Sequence, residues 1–441
     1  MNYINYKELF ACIVASVPSL YLGINSGFST EFIYEISQKE TISSDTVSWI
    51  GGSGLMLSFV GCLIDGYLMD KYGRKSLLYL TFAIHFIGWM VIAKTEYFIF
   101  GRFLTGLALG VGMLSTVYIS EILLPRYRGR LLLLCSTLEI FGNLFMYLIE
   151  FYISAKTTSF ILSILALILF LNVYLIPETP YWHMLKKQNG KAIKSLVWLR
   201  DGNELTIDSE IYNIEENLEQ TNKSPTLADT ILNVRWWKSF LLFSVYILLT
   251  ELSGFDMIIP YSVQFFAVIN RTRIDNRIVS STFVTIALAG SIASMFIVER
   301  FKRTTLIKNT NLINTVLLAI AGLSAAFSHS IISSIICLLC IFVYSSTVAI
   351  STFSLPWTII SESLPTELRA TVFSALSMEF SITYFLLVKI FPAILATTSM
   401  NYILFFFAIF SFLNYCFVLF FIKETRGIIL PGNRNFAIFS E

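Results

Sequence analysis

The chain has 441 residues, of which 56% are hydrophobic and only 14% charged, and its mean hydropathy is +0.71. So few charges cannot cover a soluble protein of this size, which makes this an all-α membrane protein. The 31 basic and 29 acidic residues leave a net charge of +2, which offers no surface for nucleic acid; the partners implied are the lipid bilayer and a small molecule.

A helix needs roughly 20 apolar residues to cross a hydrocarbon layer ~30 Å thick. Such runs begin near Leu9, Val47, Leu77, Phe98, Leu131 and Phe160, and again near Phe240, Ser280, Leu306, Ile331, Thr371 and Tyr402. The first is long and directly follows the charged Lys7 and Glu8, so it reads as a span and not as a cleavable signal. Six and six spans place both chain ends on one side. Lys71, Arg74 and Lys75 follow span 2, Arg126, Arg128 and Arg130 follow span 4, and Arg300, Lys302, Arg303 and Lys308 follow span 8. This excess of Lys and Arg makes that side, and both termini, cytosolic. Arg271, Arg273 and Arg277, after span 7, run against the rule.

The expected organisation is an N-terminal six-helix half (1–182), a cytosolic helical loop (183–237), a C-terminal six-helix half (238–427) and a cytosolic tail (428–441). In the loop, Ile211, Ile214 and Leu218 keep helical spacing, which predicts amphipathic helices under the membrane. The C-x-x-C of Cys337 and Cys340 lies inside an apolar span without a second ligand pair, and His85, His183 and His329 are isolated. No metal, cofactor or catalytic set is expected, and the chain does not read as an enzyme.

The halves repeat one another at their cytosolic helix ends. After span 4 stands S-E-I-L-L-P-R-Y-R-G-R and after span 10 S-E-S-L-P-T-E-L-R-A, so Glu121 precedes Arg128, and Glu362 precedes Arg369, by seven residues. Asp70 and Arg74 after span 2 match Glu299 and Arg303 after span 8, and Glu178 after span 6 matches Glu424 after span 12. Three matches in the same order point to paired charges that tie helix ends together within each half and form a cytosolic gate when the halves rock.

These motifs resemble the sugar porter family of the major facilitator superfamily, from span 1 to Gly427. The resemblance is carried by G-Y-L-M-D-K-Y-G-R-K (66–75), G-R-F-L-T-G (101–106), the Glu121 to Gly129 motif, P-E-T-P-Y-W (177–182), L-P-W-T-I-I-S-E (355–362) and the final E-T-R-G. F-G-N (141–143) and V-K-I-F-P (388–392) look most like the insect branch of facilitated trehalose and hexose transporters. It implies a major facilitator fold of about twelve helices in two six-helix halves, in the plasma membrane, carrying a hexose or trehalose by facilitated alternating access. By position, the implied substrate residues are Trp357, Thr250, Glu251, Asp256, Ser136, Tyr261 and Phe380. Family amides are replaced at several of them: Thr250 and Glu251 stand for two glutamines, Asp256 for an asparagine, and Ser136 for a glutamine. Tyr181 and Lys302 also depart from the family's usual Arg and Gly.

Ionisable residues at a span centre cost about 2.5–3.5 kcal/mol each on insertion scales, so Glu139, Glu150, Glu251, Asp256, Glu379 and Lys389 are functional candidates. A proton-coupled carrier of another organic solute, through Glu251 or Asp256, is one alternative, and a transporter-like sensor that does not transport is another. In proton-coupled members an Asp stands where this chain has Asn25. Asn270-Arg271-Thr272 is an N-glycosylation sequon on the outer side, whereas Asn222-Lys223-Ser224 falls in the cytosolic loop.

Overall fold

The computed structural model describes residues 5–39, 42–149, 151–202, 204–221, 234–327, 330–364 and 366–424, without the side chains of 95, 125–126, 204–206, 217–221, 361–362 and 366–370. Glu150, His329, the sequon at Asn222 and the tail 428–441 lie outside the described residues, as do the side chains of Glu362 and Arg369. Among the described residues, eleven helices are long and apolar enough to cross a membrane, and a bent pair makes a twelfth span. In chain order, spans 1 to 6 are Tyr6–Ser37, Ser44–Tyr72, Arg74–Ile92, Phe98–Ile122, Tyr127–Ile149 and Ala155–Leu175. Span 7 is the bent pair Val234–Glu251 and Phe255–Ile269; spans 8 to 12 are Asn276–Ile297, Arg303–Ala326, Ile331–Ile360, Thr371–Thr397 and Met400–Phe421. The apolar runs therefore form two six-helix halves, as their lengths predict.

Lipid supplies no hydrophobic drive between helices, so spans pack through small residues that let backbones approach. A Cβ on Gly142 of span 5 would strike the backbone of Leu20 in span 1, and one on Gly61 of span 2 would lie 2.5 Å from the Leu107 carbonyl of span 4.

The repeated charges have repeated partners. The Glu178 carboxylate accepts from the backbone N–H of Arg74 (3.1 Å) and of Lys75 (2.9 Å), the first residues of span 3. Glu424 accepts from the N–H of Arg303 (3.0 Å) and of Thr304 (3.1 Å), the first residues of span 9. Each glutamate satisfies helix-start donors and sits on the positive end of a helix dipole. Burial pushes the Glu178 carboxyl above its ordinary range, against the Thr179 and Lys75 amides and the Arg74 charge that pull it down.

Glu121 is held by Arg74, whose Nη2 and Nε approach its Oε1 at 2.8 and 3.2 Å; Arg74 also meets Asp70 at 3.5 Å. The sequence expectation paired Glu121 with Arg128, which interacts electrostatically with Glu121 while its guanidinium donates to the Leu123 carbonyl at 3.3 Å. Its spacing from Glu121 crosses the break between spans 4 and 5, so the two do not share a helix face.

The connection between the halves contains helices Pro180–Leu185, Asn189–Arg200 and Glu204–Thr221. Buried Arg200 ties it to the first half: it pairs with Glu210 at 2.6 Å and Glu8 of span 1 at 3.3 Å, and donates to the Ile122 carbonyl of span 4 at 2.9 Å.

Span 7 bends by 47°. Gly254 adopts φ +104° there, and Pro260 lacks the N–H a continuous helix would use. Groups freed by the break find partners, as a membrane interior demands: Tyr344 Oη donates to the Ser253 carbonyl at 2.8 Å, and the Ile259 carbonyl accepts from Tyr147 Oη at 2.6 Å and Thr30 Oγ1 at 2.8 Å. Gly254→Ala would force an L-residue into the left-handed region, at about 1–2 kcal/mol, and set a Cβ 2.5 Å from the Phe407 ring. A lowered thermal midpoint in detergent is expected, and an unchanged one would contradict this role.

Candidate functional site

Spans 4, 7 and 10 are all interrupted. Span 4 breaks between Phe98–Gly112 and Ser115–Ile122, and span 10 passes through a π-helical segment, Val348–Thr352, before restarting at Pro356. Breaks of this kind in corresponding positions of two halves mark the place where a solute can meet backbone and side chains together. Between them lies an open cavity bounded by residues of both halves, with about 930 Å³ of empty space when its opening to solvent is included.

Six of the seven expected substrate residues line it: Ser136, Thr250, Glu251, Asp256, Trp357 and Phe380. Trp357 is positioned by the restart of span 10 immediately after Pro356, and packs against Phe373 (centroids 5.3 Å) and edge-on to Phe380 (5.5 Å, 87°). The result is an aromatic wall on the second half. Thr250 accepts from Asn414 of span 12 at 3.2 Å. Glu251 and Asp256 flank the Gly254 turn, so the bend delivers both carboxylates to one space.

Tyr261 does not line the cavity. It is buried, and its hydroxyl donates to the Val388 carbonyl of span 11 at 3.0 Å, with its ring close to Gly51 of span 2. It is part of the closure on the face opposite the chain ends.

Sequence reasoning placed Glu139 in a membrane span but not in the substrate site, and it passed over Ser19, Thr116, Phe353 and Phe373; all five line the cavity. The signal for Glu139 was available, since it follows Ser136 by three residues and so shares its helix face. Lys389 has a different setting from the other in-span charges. It reaches the face opposite the chain ends, where its Nζ meets Asp45 at 3.0 Å and Ser48 at 2.7 Å over the Trp49 ring.

That opposite face is bridged from half to half. Besides Lys389–Asp45, Arg277 of span 8 pairs with Glu31 of span 1 at 3.2 Å, which explains why one of the arginines after span 7 departs from the charge rule. Thr30 and Tyr147 bond to Ile259, Ser262 to Tyr147 at 2.8 Å, and Ser26 to Tyr384 at 3.1 Å. The two ion pairs differ in burial. Asp45 is 79% exposed and Glu31 only 3%, so the first is worth at most about 1 kcal/mol while loss of the second strands a buried carboxylate. Arg277→Gln is therefore expected to open this face more than Lys389→Gln does. Alkylation of the cavity residue Cys135 by a membrane-impermeant thiol reagent, read by mass spectrometry, measures it; equal rates in the two variants would contradict the ranking.

A family model described as sugar (and other) transporter matches residues 11–432. The chain belongs to this family of membrane transporters. A facilitated trehalose transporter of Bombyx mori is 26% identical over 434 residues, covering 96% of this transporter and 85% of the relative. One from Drosophila grimshawi is 24% identical over 438 residues, and the transporter spans 47% of that relative's length. Among solved structures, the proton:xylose symporter XylE bound to 6-bromo-6-deoxy-D-glucose superposes with a TM-score of 0.83 at 19% identity, covering 97% of this transporter and 98% of XylE. That likeness establishes the major facilitator fold.

Proposed function

We propose that this transporter carries a sugar, a hexose or trehalose, by facilitated alternating access across the plasma membrane, with both termini cytosolic. The observation that carries the reading is the composition of the cavity. An aromatic wall of Trp357, Phe373 and Phe380 faces hydroxyls and carboxylates from the other spans, which matches a solute with one apolar ring face and a rim of hydroxyl groups. Trp357, Thr250, Glu251, Asp256, Ser136 and Phe380 contact the solute, and Tyr261 acts through the outer closure.

Asp70, Arg74, Glu121 and Glu178, with Glu299, Arg303 and Glu424 in the second half, form the cytosolic gate elements; by sequence, Arg128, Glu362 and Arg369 belong with them. The face bridged by Glu31–Arg277 and Asp45–Lys389 is the outer one, and rocking the halves apart there opens the cavity outward. Asn270 would lie outside. Its side-chain amide donates to Ile274 and Asn276 at 2.8 and 2.9 Å, so a glycan at this residue, which leaves one N–H, displaces one of these bonds; a mobility shift lost in Asn270→Gln tests for it.

The reading is tested by uptake of labelled glucose and trehalose into proteoliposomes, with and without a pH gradient. Saturable uptake that is indifferent to the gradient is expected. Uptake that requires the gradient would favour the proton-coupled alternative, and no uptake of any solute by folded protein would favour a sensor.

A further inference from the structure

The cavity brings together three carboxyl groups, and its described lining contains no Lys, Arg or His. Glu139 comes from span 5, and Glu251 and Asp256 from the two sides of the span 7 break. Spans 1, 4 and 10 contribute Ser19, Thr116, Ser354, Trp357 and Thr358 among their polar and aromatic lining groups, with no titratable carboxyl, and Glu379 of span 11, which is not a lining residue, interacts electrostatically with Glu251. Glu251 is only 1% exposed, and of the neighbouring described side chains only the neutral Thr383 hydroxyl is placed to donate to it, with no cation alongside. Buried carboxyl groups set beside one another are matched either by a proton or by a positively charged donor. A hydroxyl offers one neutral hydrogen bond, whereas an ammonium group offers three charge-assisted ones.

We propose that the solute of this site is a polyhydroxylated amine in its ammonium form, such as a 2-amino hexose, with the ammonium group at Glu251 and Asp256 and the apolar ring face against Trp357. This rests on the cavity being the substrate site, and narrows the class of solute admitted there. The carboxylates supply the selectivity: a neutral sugar of the same shape meets Glu251 with a single neutral hydrogen bond, so the binding step itself discriminates.

D-Glucose and D-glucosamine differ at a single position, hydroxyl against ammonium at C2, and give the test in the unmodified protein. Binding is followed at pH 6.5, where the amine is protonated, by quenching of tryptophan fluorescence and by titration calorimetry, with trehalose as a third ligand. Glucosamine is expected to bind at least tenfold more tightly than glucose, and Glu251→Gln to remove most of that preference. Equal or tighter binding of glucose or trehalose overturns the amine assignment while leaving the cavity as a sugar site. Preference for a neutral sugar together with gradient-driven uptake that Glu251→Gln abolishes assigns the missing positive charge to a proton, and also overturns it. Binding of none of the three overturns both the assignment and the cavity's role. Should Glu251→Gln fail to fold, the glucose and glucosamine pair still decides the matter in the wild-type protein.

Discussion

Replacing Arg74 by alanine is expected to destabilise the protein by about 3–5 kcal/mol, the range for breaking a buried ion pair by removal of one partner. The Arg74 side chain is 4% exposed and Glu121 13%, so solvent cannot replace the lost charge. The same guanidinium donates to the Met69 carbonyl at 3.2 Å and stands 6.0 Å from the Tyr181 ring. One side chain thus joins the ends of spans 2 and 4 and the start of the connecting helices. Arg74→Lys keeps the charge but not the planar fork that reaches Glu121 through two nitrogens, so an intermediate loss is expected. Thermal unfolding in detergent gives the ranking wild type, then Lys, then Ala. A midpoint unchanged in Arg74→Ala would remove the network from the scaffold's support.

Trp357→Ala is expected to act on the solute and spare the fold. The Trp357 ring is half-buried, and what it loses on truncation is chiefly the cavity-facing wall it builds with Phe373 and Phe380. Aromatic contacts of this kind contribute about 0.5–1.5 kcal/mol beyond area burial, and apolar area adds to that. A loss of solute affinity of about tenfold or more follows, since 1.4 kcal/mol is a factor of ten. Trp357→Phe should recover most of it. Transport assays run alongside unfolding curves separate the two effects: a large fall in stability with unchanged affinity would place Trp357 in the scaffold alone.

Much of this was legible in the sequence because the bilayer imposes a one-dimensional rule. A run of apolar residues long enough to cross must be a helix, and all twelve runs from Leu9 to Tyr402 fall within the twelve spans. The Glu178 and Glu424 positions were also readable as a pair, because the same helix-start problem is solved twice. Pairing was less legible. The match of Glu121 with Arg128 followed from spacing along the chain, whereas Arg74 reaches Glu121 across two spans.

The cavity was legible only where a motif marked it. Trp357 and the Thr250 to Asp256 segment carried such a motif, but Glu139 carried no motif. Tyr261 fell on a matching position yet is buried against span 11, where its hydroxyl donates to the Val388 carbonyl. The ion pairs on the face opposite the chain ends join residues far apart in sequence, Glu31 with Arg277 and Asp45 with Lys389. Only Arg277, through its exception to the charge rule, hinted at the first of them.

The central claim, a single cavity exposed alternately to the two faces, is tested most directly by counterflow. Proteoliposomes are preloaded with unlabelled solute and placed in a trace of the labelled form. A carrier that returns loaded faster than it equilibrates gives a transient accumulation of label above the equilibrium level, and this overshoot should disappear in Trp357→Ala. Label entering preloaded and empty vesicles at the same rate and to the same level would contradict alternating access.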